Sequence, residues 1–409
     1  VTSVIDEGTA PPGTRWRERP AAQTLLLAQA QMLRLGISRV TDITRMDRLG
    51  LPVFASVRPR SLLLRVNAGK GLSALEARVG ALMEAVEHAV AEPQRSAWTP
   101  VPMRLTDIAS GFSGRFDLQD LAPRHGVSAT GSPFVSALHC EDLLCGDRLP
   151  LPAALVFVPY EGDIAAQLFG WSATGLASGN SPEEATLHAL LEILERDAVA
   201  MNQARDASLW LEHAELPEPF AAWAEAWRRM GIDLAVRWLP NILDLPCFEA
   251  HLHEEGGSRV DLAAGSGLHP EPAAALARAI AEAAQSRLSH IHGGRDDITG
   301  FYQGHDTLGA DRRAHMQAAL RSRLFDRQRR IRWSDLPTQG LEGQTPAEAL
   351  QALLSRLAQA GFGTVLRHRF DFDLGGLHVV KVLVPRCEDL EADPTRIGPR
   401  LLDRIVGRG

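Results

Sequence analysis

Apolar positions along this chain fall into blocks whose period alternates between that of a helix and that of a strand. "AAQTLLLAQAQMLRLGI" repeats apolar residues at helical spacing and predicts a helix ending at Gly36. "SRVTDI" and "LPVFASVRP" predict strands on either side of the turn-like "TRMDRLG". "LLLRVNAGKG" predicts a strand entering a glycine-rich turn, and "SALEARVGALMEAVEHAVAE" a helix closed by Pro93. Residues 96–150 carry no clear period and predict irregular, turn-rich structure. "LPAALVFVPY" predicts a buried strand ahead of a long helix beginning near Ser181. "DLAVRWLP" and "CFEAHLH" predict strands, and "VDLAAGSGLHPEPAAALARAIAEAAQSRLSHIHGG" a further glycine-rich turn and helix. The polar, weakly patterned residues 301–345 predict an insertion or mobile segment. Residues 346–409 predict a helix followed by two strands, "TVLRHRFDF" and "LHVVKVLVP". Strands and helices mix without strict alternation, so the expected class is α+β. The expected organisation is a flexible lead-in over 1–20, a core over 21–300, and a return to that core over 346–409.

Composition narrows the function more than the fold. With 45% apolar and 23% charged residues and a net charge of -7, the chain reads as globular, with no reason to expect a nucleic-acid partner. No run approaches the roughly 20 apolar residues that span a bilayer, so no membrane association is expected. Cys140, Cys145, Cys247 and Cys387 form no CxxC pair. That spacing argues against a zinc or disulfide framework and for reduced thiols in a cytoplasm.

Self-similarity carries the chemistry. Ser73-Ala74-Leu75-Glu76 and Ser181-Pro182-Glu183-Glu184 both read as capping boxes at helix starts. Each is followed at identical spacing, S-x2-E-x7-E-x2-E, by a carboxylate pair: Glu84 and Glu87, then Glu192 and Glu195. Residues at i and i+3 share a helix face, so two such helices facing each other would gather four carboxylates around one cleft. Like charges held that closely need cations, and hard oxygen ligands suit Mg²⁺, which commonly accompanies nucleotide phosphates. The later glycine-rich turn and helix supplies Glu282, Gln285 and Arg287, with E-x-x-Q in place of E-x-x-E. Taken singly, each feature has a plainer reading. Glu76 and Glu184 are explained by capping, Glu192 and Arg196 by an i,i+4 ion pair, and Lys70 by any turn lysine. His251, His253, His290 and His292 read as strand or surface residues. There is no Walker A sequence. The duplicated spacing on Ala- and Leu-rich helices is what favours a site.

"NAGKG" with "MEAVEH", "GLASGNSPEEATLHALLEILERDA" and "ALARAIAEAAQSRLSHIHGGRDD", in that order, resemble the successive signatures of the YcaO family. "LGISRVTDITRMDRLGLPVFASVRP" is similar to its stand-alone, TfuA-associated branch. The resemblance spans about residues 20–300 and implies a YcaO-type α+β fold of mixed sheets packed with helices, with a nucleotide site lacking a P-loop. It implies an enzyme using ATP and Mg²⁺ to activate a peptide backbone amide oxygen. An internal Cys, Ser or Thr nucleophile then gives an azoline, whereas external sulfide gives a thioamide. It assigns Glu84, Glu87, Glu192 and Glu195 to magnesium. It assigns Lys70, Glu184, Arg196, Glu282, Gln285 and Arg287 to the nucleotide site, with Lys70, Arg196 and Arg287 as its catalytic cations. The chain ends "GPRLLDRIVGRG" where many azoline-forming members carry a proline-rich PxPxP tail, which favours the thioamide product. "VPRCED" and Asn67-Ala68 also depart from the usual pattern. The expected partners are a peptide or protein substrate, a sulfide donor, a TfuA-like protein that delivers the substrate, and a second copy in a homodimer. The rival readings are azoline formation and a nucleotide-binding scaffold without peptide chemistry.

Overall fold

The computed structural model describes residue 13 and residues 15–95, 98–112, 114–254, 262–297, 309–337, 340–391 and 393–407. Its described strands form three sheets. The first is antiparallel, β1 (Arg39–Asp42), β2 (Val53–Val57) and β3 (Val66–Lys70), in that order. A second contains β4 (Val101–Arg104), β5 (Phe134–Asp142), β6 (Arg148–Pro152), β7 (Leu176–Gly179), β13 (Leu366–Arg369) and β14 (His378–Leu383). It runs β4-β5-β13-β14-β7, with β6 also paired to β5. The third contains β8 (Leu209–Leu211), β9 (Ile232–Trp238), β10 (Cys247–Glu254), β11 (Leu262–Leu268) and β12 (Arg330–Ile331). Its order is β11-β10-β9-β8-β12. The architecture is the expected α+β mixture.

Helix α1 (Ala21–Leu35) lies against α2 (Ala74–Ala91), which packs on β3 and β2. The short helices α3 (Leu105–Gly111) and α4 (Ile164–Phe169) cover the second sheet. Helix α5 (Pro182–Ala204) packs on β7 and β14, α6 (Phe220–Arg229) on β9, and α7 (Pro272–His292) on β11 and β10. Thus β3–α2, β7–α5 and β11–α7 form three strand-then-helix units, and each leading strand is an edge of a different sheet.

Small residues set how closely each helix sits. A Cβ on Gly69 would lie 2.0 Å from the Ala81 amide nitrogen and 2.2 Å from the Ala77 carbonyl oxygen. One on Gly265 would lie 2.2 Å from the Ala283 nitrogen, and one on Gly179 2.6 Å from the Ala185 nitrogen. Glycine on the strand and alanine on the helix therefore bring backbone against backbone. The capping is less symmetric than the sequence predicts. Ser73 and Glu76 form the full reciprocal box. Ser181 accepts from the Glu184 amide, but the Glu184 carboxylate turns to the amides of Asn180 and Glu18, both at 3.2 Å.

Several expectations are corrected. Residues 96–150 contain two paired strands and a helix, with the nine-residue β5 at their centre. Its buried positions, Val135, Ala137, Leu138, Cys140 and Asp142, do not alternate strictly, and Ala137, Cys140 and Asp142 are too small or polar to mark an apolar face. Edge strand β4 is largely exposed and carries Pro102. "LPAALVFVPY" is buried throughout most of its length, but only its start is strand, followed by a 3₁₀ turn at Ala153–Leu155. Of the expected lead-in, Trp16 is buried against the core and Arg17 pairs with Glu184 at 3.1 Å; residues 1–12 lie outside the described residues. The segment 301–345 carries an exposed helix, Ala310–Leu324, and β12, which joins the third sheet in parallel with β8. Residues 301–308 lie outside the described residues. No described helix is long and apolar enough to cross a membrane.

Candidate functional site

The three units close on one another in a ring, through the second member of each i,i+3 pair. Glu87 on α2 accepts from the amide and hydroxyl of Ser178 on β7, at 2.8 and 2.6 Å. Glu195 on α5 accepts from the Ser266 hydroxyl at 2.6 Å and the Leu268 amide at 3.0 Å, both on β11. Gln285 on α7 donates to the Ala68 carbonyl on β3. Ser178, Ser266 and Ala68 each directly precede a strand glycine. An edge strand leaves backbone groups without a ladder partner, and each unit seals the next unit's edge. Gln285 suits its place because its amide can donate to a carbonyl, which a carboxylate cannot.

The first members of the pairs, Glu84, Glu192 and Glu282, take no part in these seals; Glu84 faces the charge of Glu282, and Glu192 that of Glu195. Glu84 accepts a long bond from Asn67, 3.4 Å, and burial raises its carboxyl above the usual range despite Arg295, Asn67 and Lys70. Burial pushes Glu192 up to about 7, with Arg196 opposing and Glu195 adding to the rise. Glu87 is pushed up to about 8 by burial, reinforced by Glu84 and Glu192, even though Ser178 bonds it. Glu282 differs: burial works to raise it, but Lys70 and Arg196 outweigh that and hold it below its ordinary value. Lys70 ion-pairs with it directly, and Arg196 lies 3.7 Å away. Arg196 also meets Glu195 at 3.6 Å and Glu391 at 2.7 Å. Burial would lower its guanidinium, yet Glu282, Glu195, Glu391 and Glu192 hold it above the usual value.

Two predicted residues are held in pairs of their own. Glu184 lies at the start of α5, bound to Asn180, Glu18 and Arg17. Arg287 is buried in ion pairs with Asp47 at 2.9 Å and Glu254 at 2.5 Å, at the first sheet's turn and the end of β10. At 3.6 residues per turn, Arg287 sits about 180° around α7 from Arg278. Arg278, Glu282 and Gln285 share the face that looks into the ring. Arg278, missed in the sequence, is half-buried and has no hydrogen-bond or ion-pair partner among the described residues. Burial and the nearby Arg17 lower it to about 10, against the carboxylates Glu195, Glu282 and Glu192. Its signal was available: an arginine at i−4 from Glu282 falls on the same face. Lys381 on β14 was also missed. It donates to the carbonyls of Ser172 and Thr174, and burial lowers it to about 7 despite Glu192.

Among the described residues, no three His, Cys, Asp or Glu side chains stand close enough to share one metal ion. Mg²⁺ needs fewer, since it is usually held by one or two carboxylates completed by phosphates and water. Glu84, Glu87 and Glu192 are partly buried carboxylates with no ion pair among the described residues, and a divalent cation supplies such a countercharge. The donor set therefore fits Mg²⁺, and the unpaired Arg278 with Arg17 and Lys70 fits an anion beside it.

A family profile described as YcaO cyclodehydratase, ATP- and Mg²⁺-binding, matches residues 68–388. An uncharacterised protein in the tfuA 3′ region of Rhizobium leguminosarum bv. trifolii is 32% identical over 404 residues, covering 94% of this chain and 92% of its own. The structure of YcaO from Methanopyrus kandleri bound with AMPPCP and Mg²⁺ superposes with a TM-score of 0.73 at 23% identity, covering 93% of this chain and 95% of that one. A heterocyclase in complex with substrate and cofactor gives a TM-score of 0.78 at 20% identity, over 99% of this chain and 57% of that one.

Proposed function

This chain belongs to the YcaO family of ATP- and Mg²⁺-binding cyclodehydratases, and on that premise we propose that it phosphorylates a peptide backbone amide oxygen to make a thioamide. The observation that carries the site is the ring of three units, which turns Glu84, Glu192 and Glu282 inward beside Lys70, Arg196 and the unpartnered Arg278. Arg278, Lys70, Arg17 and Arg196 receive the triphosphate, while Glu84, Glu87 and Glu192 would hold Mg²⁺, one or two of them to an ion, and Glu195, bonded to Ser266 and Leu268, would support them. Arg287, committed to Asp47 and Glu254, supports α7 rather than the phosphates. Bound Mg²⁺ neutralises phosphate charge and aligns the triphosphate.

The reaction adds hydrosulfide to the amide carbon and transfers the γ-phosphoryl group of ATP to the amide oxygen. The C–O bond then breaks, releasing phosphate and ADP and leaving C=S. An amide oxygen is a poor leaving group, and phosphorylation makes it a good one. The protein's part is positioning and charge stabilisation, which phosphoryl transfer chiefly requires. Arg196 and Arg278 supply fixed cationic donors. A TfuA-like partner presents the peptide, a reading supported by the relative beside tfuA. The family's description as a cyclodehydratase favours a second product, an azoline formed by a Cys, Ser or Thr side chain.

Incubating candidate peptides with ATP, Mg²⁺, sulfide and the partner, with mass spectrometry of the product, decides between them. Thioamide formation adds the difference between sulfur and oxygen; azoline formation loses water. Glu192→Gln should abolish ATP consumption with the fold intact, and undiminished turnover in that variant would refute the site.

A further inference from the structure

We propose that Glu391 is an internal anion that holds the phosphate subsite at Arg196 until a nucleotide displaces it. This rests on the reading that Arg196 meets the triphosphate. Glu391 is the nearest of the three carboxylates paired with Arg196, at 2.7 Å against 3.6 Å for Glu195 and 3.7 Å for Glu282. The other two are already occupied: Glu195 bonds Ser266 and Leu268, and Glu282 pairs with Lys70. Among the described residues, Arg196 is the only side chain within ion-pair distance of the Glu391 carboxylate, with Arg295 acting on it from farther away.

The chain leading to Glu391 is firmly tied. Arg386 donates its amide to the Asp120 carbonyl at 2.7 Å, and Glu388 its amide to Asp197 at 2.9 Å. Asp389 accepts from the hydroxyls of Ser172 and Thr174 at 3.0 and 2.8 Å, and from the Glu391 amide at 3.0 Å. The backbone is thus anchored, while the Glu391 side chain stays 59% exposed over an Arg196 that is only 17% exposed. That combination delivers a carboxylate to a half-buried guanidinium yet leaves it free to swing into water. Carboxylate and phosphate oxygens compete for the same guanidinium donors. A site occupied by its own anion binds ligand with an affinity reduced by the fraction of molecules in which that anion has let go.

Titration calorimetry of the full chain with AMPPCP and Mg²⁺ tests this on wild type, Glu391→Gln and Glu183→Gln. Glu183 removes the same charge at the outer start of α5. The expected result is a dissociation constant about 3- to 10-fold lower for Glu391→Gln, with Glu183→Gln matching wild type. Equal or weaker binding by Glu391→Gln would overturn the proposal, as would an equal gain in Glu183→Gln. Failure of wild type and both variants to bind AMPPCP at all would overturn the nucleotide reading, and this inference with it.

Discussion

Ser178 gives both of its donors to one oxygen of Glu87, its amide at 2.8 Å and its hydroxyl at 2.6 Å. This joins α2 to the edge of another sheet and leaves the second Glu87 oxygen for the cleft. Glu87, raised to about 8, is largely uncharged near neutral pH in the metal-free protein, and a neutral hydrogen bond contributes about 0.5–1.5 kcal/mol. Ser178→Ala, which keeps the amide bond, should therefore cost about 0.5–1.5 kcal/mol, read as a lower denaturation midpoint. An unchanged midpoint would mean that the hydroxyl bond does not hold the two units together.

The carboxylates should also give a pH signature. Glu87 is raised from 4.5 to about 8, so in the metal-free protein the folded state keeps a proton that the unfolded state loses. Its stabilising contribution is complete below about pH 4.5 and disappears as pH rises through about 8. Lys381, lowered to about 7, and several buried histidines act in the opposite sense, so the whole-protein profile mixes them. Comparing wild type with Glu87→Gln isolates one group. In EDTA, the variant's melting temperature should rise relative to wild type between pH 5 and 8.5.

Arg278 is a cation waiting for an anion. Arg278→Met should cut ATP consumption by about 100-fold or more, as expected for losing a fixed charge at a developing phosphate. Without nucleotide its melting temperature should stay level or rise, because the lost group faces Arg17 and has no partner among the described residues. A large loss of stability with normal turnover would assign Arg278 a structural role.

Gly69→Ala should be far more damaging than its single methyl suggests. The added carbon would sit 2.0 Å from backbone nitrogen and 2.2 Å from backbone oxygen of α2. Neither can rotate away, so β3 and α2 must separate. Overpacking costs about 1–3 kcal/mol and occasionally more; circular dichroism melting should place this variant at or beyond the upper end.

Asp197, next to Arg196 in sequence, serves the fold. It is 1% exposed and bonds Arg400 at 2.6 and 3.3 Å, tying α5 to the helix Pro399–Val406. Removing one partner of a buried pair strands the other, at about 3–5 kcal/mol. Asp197→Ala should therefore lower the melting temperature sharply. Wild-type stability in that variant would show that Arg400 finds water instead.

The sequence by itself determined the repeat. Ser73 with Glu84 and Glu87, and Ser181 with Glu192 and Glu195, lie on local helical spacing, which neighbouring residues carry without help from the rest of the chain. The same locality made α1, α5, β9 and β14 legible, and hid β5, whose buried positions do not alternate and include the small Ala137 and the polar Asp142. Only the tertiary structure decided what each carboxylate does. Glu87 and Ser178 are 91 residues apart, Glu195 and Ser266 71, and Gln285 and Ala68 217. No local pattern links residues that meet only when three sheet edges converge. The same convergence buries Glu87 and Glu192 and so raises them, turns Arg278 into the cleft, and sends Arg287 to Asp47 on the opposite side of α7. Spacing along a helix is a property of the chain; charge without a partner is a property of the packed molecule.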